Sequence, residues 1–175
     1  MTLSHNISET ELVNRCLAKD RKAQYLLFEK YKKAMFTKVF RLLNDYDEAN
    51  DALQEGFIEV FRSLADFKAD STLGAWVKTI MVRQAIRRRK FLDKFESLDT
   101  EMHEIAFEVA DTFTGQELDE AIRTLPEGCR TVFLLAEVEG YMHKEIAEML
   151  NISEGTSKSQ LSHAKKLLRK KLSYV

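Results

Sequence analysis

One proline and 6 glycines in 175 residues leave this chain few places to turn sharply. A many-stranded sheet needs turn formers roughly every ten residues, and the chain cannot supply them. Long helices joined by short connections are what such a sequence permits. Hydrophobic residues at 45% and charged residues at 31% suit a globular chain with a real core. The length fits one medium domain or two small ones.

Helix starts are legible. Ser8 with Glu11 forms a capping-box pattern ahead of Leu12, Val13 and Leu17. Asp20 is placed to cap a long helix bearing Leu27, Tyr31, Met35, Val39 and Leu42, which stops at Asn44-Asp45. A third helix starts at Asp47 and buries Ala49, Leu53, Phe57, Val60, Phe61 and Leu64. After a short loop, Phe67 to Thr72, a fourth begins with Ser71 or Thr72 as cap. It carries Leu73, Trp76, Val77, Ile80 and Met81 and ends in a basic run. Four such helices are enough for one core.

The apolar pattern weakens from about Leu92 to Thr114, which reads as a linker. Thr114 with Glu117 then offers another capping box. Leu118, Ile122 and Leu125 share a helix, Pro126 suits the first turn of the next, and Val132 to Val138 continue it to Gly140. A short helix over about Met142–Leu150 and a longer one over Glu154–Lys171 complete the chain. The expected fold is all-α: a four-helix domain over 7–92, an acidic linker over 93–113 and a second helical domain over 114–172.

Net charge is −1, but the charges are segregated. Arg83, Arg87, Arg88, Arg89 and Lys90 form one basic cluster. Lys158, Lys165, Lys166, Arg169, Lys170 and Lys171 form another. Between them, Asp93 to Glu120 is almost purely acidic in its charges. Two basic surfaces separated by an acidic spacer point to an anionic partner.

Cys16 and Cys129 are too few for a disulfide framework, so a reducing cytoplasm is expected. No stretch approaches the roughly 20 apolar residues of a membrane span, so no membrane insertion is expected. His5, His103, His143 and His163 do not fall at metal-ligand spacing, and no phosphate-binding glycine loop or nucleophile elbow is present. The expectation is therefore no enzyme, no metal, no catalytic residue and no cofactor. His143 and His163 read as helix-surface residues.

The most informative stretch runs from Tyr141 to Lys166. Ala147 is small where two helices must cross, Asn151 tolerates a left-handed exit, Ile152 plugs the turn and Ser153 caps the next helix. This is helix-turn-helix grammar, in which the second helix enters the major groove. With Leu161, Ala164 and Leu168 inward, Gly155, Thr156, Ser159, Ser162, His163 and Lys166 face out. Their small hydroxyls allow close approach to phosphates and base edges, and Lys158 and Lys166 supply sequence-independent attraction.

The stretch Leu150 to Arg169 resembles the C-terminal promoter reader of the bacterial sigma-70 family, and most of all its extracytoplasmic-function (ECF) group. Asp47 to Phe61 resembles the helix with which such factors bind core RNA polymerase. Phe67 to Arg89, with Trp76 inside it, resembles the promoter-melting segment. The resemblance implies a sigma factor with core RNA polymerase and promoter DNA as partners, and family members are often held by an anti-sigma factor. By position it puts Asp51, Gln54, Glu55 and Ile58 against the polymerase. Lys68, Asp70, Ser71 and Thr72 would form the loop that accepts a flipped minus-ten base. Arg83, Arg87 and Arg88 would hold strand phosphates. Gly155, Thr156, Lys158, Ser159, Ser162, His163 and Lys166 would read the minus-thirty-five element. Trp76 is more readily a core anchor than a stacking platform.

Four positions depart from the family pattern. Arg83 stands where asparagine is common, which implies an unusual minus-ten preference. Ser157 replaces an apolar β-branched residue, and its hydroxyl must bond a backbone carbonyl or stay unpaired, at a cost in stability. Gln160 replaces a frequent arginine. Gly56 interrupts the polymerase-binding helix at an expected cost of ~1 kcal/mol relative to alanine. A duplex-binding helix-turn-helix regulator would account for 114–175 equally well. It would not account for Asp47–Phe61 together with Arg83–Lys90.

Overall fold

The computed structural model describes residues 7–96 and 115–172. Every regular element among them is helical, and the chain divides into two compact units at Lys90–Phe91.

In the first unit, α1 (Glu9–Leu17) opens on Ser8, whose Oγ accepts the Glu11 N–H at 3.1 Å. The next helix, α2 (Arg21–Leu43), opens on Asp20. Oδ1 of Asp20 accepts the N–H groups of Lys22 and Ala23, and Oδ2 accepts Arg15 Nη2 at 2.7 Å. The Arg15 guanidinium, then these backbone donors, hold the Asp20 carboxyl below its ordinary range.

α2 closes on Asn44 in the left-handed conformation, φ 54°. Helix α3 (Tyr46–Ser63) then starts earlier than expected. Asp45 is its cap, accepting the Glu48 N–H at 2.9 Å. Because Asn44 ends α2 in a single residue, the extended capping position falls on Asp45. Asp47 lies in the first turn, where a negative charge complements the helix dipole.

A 3-10 turn, Leu64–Asp66, leads to α4 (Leu73–Glu96). Thr72, rather than Ser71, caps α4 by accepting the Ala75 N–H at 3.2 Å. Glu9 of α1 accepts the Leu73 N–H at 3.2 Å, so another orphan donor of α4 is satisfied from 64 residues away. The helix continues through the basic run to Glu96 instead of ending in it. Residues 91–96 contain neither glycine nor proline, and an established helix propagates until something stops it. The acidic spacer from 97 onward and the Thr114 cap lie outside the described residues.

The core of this unit is formed by residues such as Leu27, Val39, Val60, Leu64, Leu73 and Val77, all essentially inaccessible to solvent. Phe28 meets Phe57 edge-to-face at 4.7 Å. Tyr31, Phe61, Trp76 and Ile80 are half-buried at its margins. The inner stripe of α3 is small, Ala49, Ala52 and Gly56, and the fully buried Met81 of α4 fills the space beside it. A Cβ at Gly56 would collide with the Met81 sulfur. Gly56 is therefore a close-packing position, not simply a weak point in the helix.

The second unit contains α5 (Gly115–Arg123), α6 (Glu127–Phe133), α7 (His143–Leu150) and α8 (Glu154–Leu172). Pro126 sits at the cap of α6, one residue before its first turn. After α6 the backbone widens into a π turn, Leu134–Val138, and reverses at Gly140, φ 78°. α8 packs on α5, α6 and α7. Val132, Leu135, Ile146, Ala164 and Leu168 are buried. Cys16 and Cys129 are free and buried, and burial raises both thiols above their ordinary range.

Gly56→Ala should lower the thermal midpoint, although alanine gains ~1 kcal/mol in an unconstrained helix. Shortening the opposing side chain with Met81→Leu in the same chain should recover part of the loss, as read by calorimetry. A second expectation concerns acid. The folded-state pKa of Asp20 is depressed, so its contribution is present above the ordinary carboxyl pKa of about 4. That contribution is lost as pH falls through the lower folded value. Asp20→Asn keeps a cap but not the ion pair, so its midpoint should fall less steeply with acid than the wild type's.

Candidate nucleic-acid and partner interfaces

Helix α3 turns an acidic stripe outward. Glu48, Asp51 and Glu55 recur at i, i+3 and i+7, and like charges at such spacing repel. The repulsion is relieved by one arginine from α4. Arg88 donates through Nε to Glu48, through Nη2 to Asp51 at 3.0 Å and through Nη1 to Glu55 at 3.1 Å. The buried Gln84 donates to the other oxygen of Glu55. These carboxylates raise the Arg88 pKa further above its already high value, the Glu48 hydrogen bond most.

This arrangement sorts the residues expected to face a partner. Gln54 and Ile58 are exposed, Ile58 unusually so for an apolar side chain at 58%. Asp51 is exposed and has one oxygen bonded to Arg88. Both oxygens of Glu55 are already bonded within the unit. Arg88, expected on phosphates, instead has its guanidinium bonded to three carboxylates. Glu48 and Gln84 escaped sequence reading. The acidic i, i+3, i+7 spacing was a visible signal for Glu48, but nothing local announces Gln84.

The loop before α4 presents Lys68, Asp70, Ser71 and Thr72 at the surface. Ala69 among them adopts φ 57°, a left-handed conformation that costs a β-carbon residue roughly 1–2 kcal/mol. Phe67 lies 5.5 Å from Trp76 in a tilted ring contact, which closes one side of the loop. Trp76 is thus neither fully core nor a bare platform. The Thr72 hydroxyl is engaged as the α4 cap. Arg83 and Arg87 are exposed on α4, and Arg87 donates to Gln84 at 3.3 Å. The loop residues and two of the three arginines, Arg83 and Arg87, are thus exposed, with Arg88 turned toward α3.

In the second unit α7 and α8 are joined by a tight turn. Asn151 ends α7 at φ 57°, ψ 48°, and Ile152 donates to Ala147 O at 3.0 Å. Ser153 caps α8 by accepting the Thr156 N–H at 2.9 Å. Gly155, Thr156, Lys158, Ser159, Ser162, His163 and Lys166 are all exposed on α8. Lys158 pairs loosely with Glu154 at 3.8 Å, one turn back. Ala164, Leu168 and Ser157 face inward, with Leu161 half-buried.

Two expectations here need correction. Ser157 is completely buried, and a side chain meets its hydroxyl: Oγ lies 2.8 Å from His143 Nδ1. His143 is accordingly a half-buried member of the turn, not a plain surface residue. At the next turn Gln160 Oε1 accepts from the Cys129 thiol at 2.8 Å, which ties α8 to α6. Among the described residues no three His, Cys, Asp or Glu side chains are grouped to hold a metal ion, and no helix is long and apolar enough to cross a membrane.

Comparison with known proteins follows the same division. The family model of sigma-70 region 2 matches residues 27–94, and that of sigma-70 region 4 matches residues 115–168. The ECF RNA polymerase sigma-E factor of Haemophilus influenzae is 28% identical, with 97% of this chain and 98% of that one covered. The RNA polymerase sigma-H factor of Pseudomonas aeruginosa is 28% identical over 94% and 93%. Among solved structures, the sigma factor RpoE in complex with the anti-sigma factor NepR, from Bartonella quintana, shares the fold with a TM-score of 0.55. It is 21% identical, with 85% of this chain and 96% of that one covered.

The Ser157–His143 pair makes a sharp expectation. Ser157→Ala should destabilise the second unit by about 1–2 kcal/mol, because a ring nitrogen of the half-buried His143 loses its partner. The double variant Ser157→Val, His143→Leu should lose less than that, since both polar groups go together. Urea unfolding followed by circular dichroism reads both.

Proposed function

Because the chain belongs to the sigma-70 family, in its extracytoplasmic-function group, we propose a division of labour among its residues during promoter-directed transcription initiation. The chain is a sigma factor that binds RNA polymerase and directs it to promoters. It is an initiation factor, not an enzyme in its own right, and it acts with the polymerase in the cytoplasm. The observation that carries the reading is the order of the two matches, region 2 and then region 4, on one chain.

Residues 7–92 form the polymerase-binding and minus-ten module. Ile58 is its apolar anchor, a large exposed apolar side chain flanked by polar residues of α3. Gln54 and Asp51 flank it with hydrogen-bond capacity for a basic partner surface, and Glu55 contributes through its bonds to Arg88 and Gln84. The loop Lys68, Asp70, Ser71 and Thr72 receives a base unstacked from the non-template strand. Unstacking costs a few kcal/mol, and the loop's polar groups, walled by Phe67, offset it. Arg83 and Arg87 hold the adjoining phosphates.

Residues 114–172 form the minus-thirty-five reader. A left-handed Asn151 and a serine cap aim the start of α8 outward, so Gly155, Thr156 and Ser159 approach the duplex closely. Ser162 and His163 follow one turn later, and Lys158 and Lys166 neutralise phosphates. Residues 93–113 are the acidic stretch of sequence that joins the two modules. An anti-sigma factor is a further partner, in line with the sigma factor from Bartonella quintana and with CnrH, whose structure is with the cytosolic domain of CnrY.

Run-off transcription with purified core polymerase on a promoter-rich genomic library tests the reading. New start sites should depend on the chain; duplex binding as a dimer without start sites would sink it. Lys166→Gln should weaken promoter binding alike on all sequences and reduce the salt slope by about one. Ser159→Ala should instead shift base preference in the minus-thirty-five element.

A further inference from the structure

We propose that Arg88 is a positioning residue of the polymerase interface, reaching from the DNA-side helix α4 to set the acidic face of α3 for a basic partner. The inference rests on the reading of α3 as the polymerase-contact helix. Three features carry it. First, the guanidinium side chain is only 20% exposed and spends three of its five N–H donors on three carboxylates, which hold it against α3 rather than free for a phosphate. Second, the three carboxylates are graded outward. The Glu48 side chain is 26% exposed, that of Glu55 46% and that of Asp51 58%. Arg88 thus anchors on the innermost acid and fans outward. One oxygen of Asp51 is held at 3.0 Å while the carboxylate stays accessible to solvent.

Third, Gln84 one turn earlier on α4 bonds the remaining oxygen of Glu55, so two side chains of α4 fix the stripe. Without Arg88, three carboxylates at i, i+3 and i+7 would splay apart by mutual repulsion. A rigid fork can order several oxygens at once, whereas a lysine presents a point charge. The consequence is that the acidic face is set only while α4 is docked on α3. Helix α4 bears Arg83 and Arg87, so Arg88, with Gln84, ties the polymerase surface to the strand-holding helix.

The test measures the affinity of the full chain for purified core RNA polymerase, by titrating labelled protein. The variants are Arg88→Gln, Arg88→Lys, Asp51→Asn and Arg88→Gln with Asp51→Asn. Each of Asp51→Asn and Arg88→Gln should weaken binding about tenfold, the scale of a charge-assisted hydrogen bond. Because Arg88 acts through Asp51, the double variant should lose little more than either single one. Arg88→Lys should fall between wild type and Arg88→Gln.

Additive losses, near a hundredfold in the double variant, would mean a general structural role and overturn the inference. So would unchanged polymerase affinity in Arg88→Gln, and a loss of promoter opening alongside it would return the arginine to DNA. If Asp51→Asn itself leaves affinity unchanged, the assignment of α3 as the contact helix falls, and this inference with it. If Arg88→Gln fails to fold, Glu48→Gln removes the inner anchor. It should weaken binding non-additively with Asp51→Asn, and unchanged affinity there would overturn the inference equally.

Discussion

Every change of direction in this chain has to be made with very little glycine, and that constraint governs how both units are built. Among the described residues five have positive φ, and four of them are Lys19, Asn44, Ala69 and Asn151. Each L-residue in that conformation costs free energy, least for asparagine. The glycines are used elsewhere. Gly56 admits Met81, a Cβ at Gly74 would lie 3.1 Å from the Tyr31 ring and one at Gly128 would lie 3.4 Å from Gln160, all at helix contacts. Helix packing therefore takes half of the six glycines, and the turns depend mainly on caps. Asp20, Asp45, Thr72 and Ser153 each accept backbone N–H groups right after a turn or loop. A left-handed residue followed by a capping side chain stops one helix and starts the next within two or three residues. That short connection is what aims the start of α8.

Charge is organised on the same economical plan. A net charge of −1 is uninformative because opposite charges are sorted by helix face. On α4 the basic cluster divides: Arg83 and Arg87 face solvent while Arg88 folds against the acid stripe of α3. On α8 the loose Glu154–Lys158 contact leaves both groups largely exposed, so it adds little stability. The lysines Lys158 and Lys166 of α8 stay exposed to water, so their charges carry little desolvation cost and act over about a Debye length.

Local chemistry was legible in the sequence and tertiary chemistry was not. Ser8, Asp20, Asn44, Asn151 and Ser153 could be assigned because a cap or a left-handed exit is decided within a few residues. The same locality explains the small errors. Asp45 and Asp47 are both plausible caps, and only the one-residue exit at Asn44 chooses between them. The exposed reader face of α8 followed from helical periodicity. The Arg88 fan spans 33 to 40 residues, and the Glu9 bond to the start of α4 spans 64. No periodicity encodes such pairs, so a cluster of arginines looked uniform when one member faces inward.

The departures from the family pattern show the same limit from the other side. Ser157, Gln160 and Gly56, read one at a time, each look like a loss: a buried hydroxyl, a missing charge, a weak helix position. Each has a partner in the fold that changes its meaning. Ser157 meets His143, Gln160 accepts from Cys129, and Gly56 makes room for Met81. A buried polar group is costly only when unpaired, and a glycine is costly only where a side chain would have fitted. The unit of substitution here is thus the contacting pair rather than the residue. Arg83 differs from these three. It is exposed on α4, and the structure offers no buried partner that would make it a packing adjustment. An unusual residue on an exposed face has no packing role to explain it, so the contacting-pair account of the other three does not extend to Arg83.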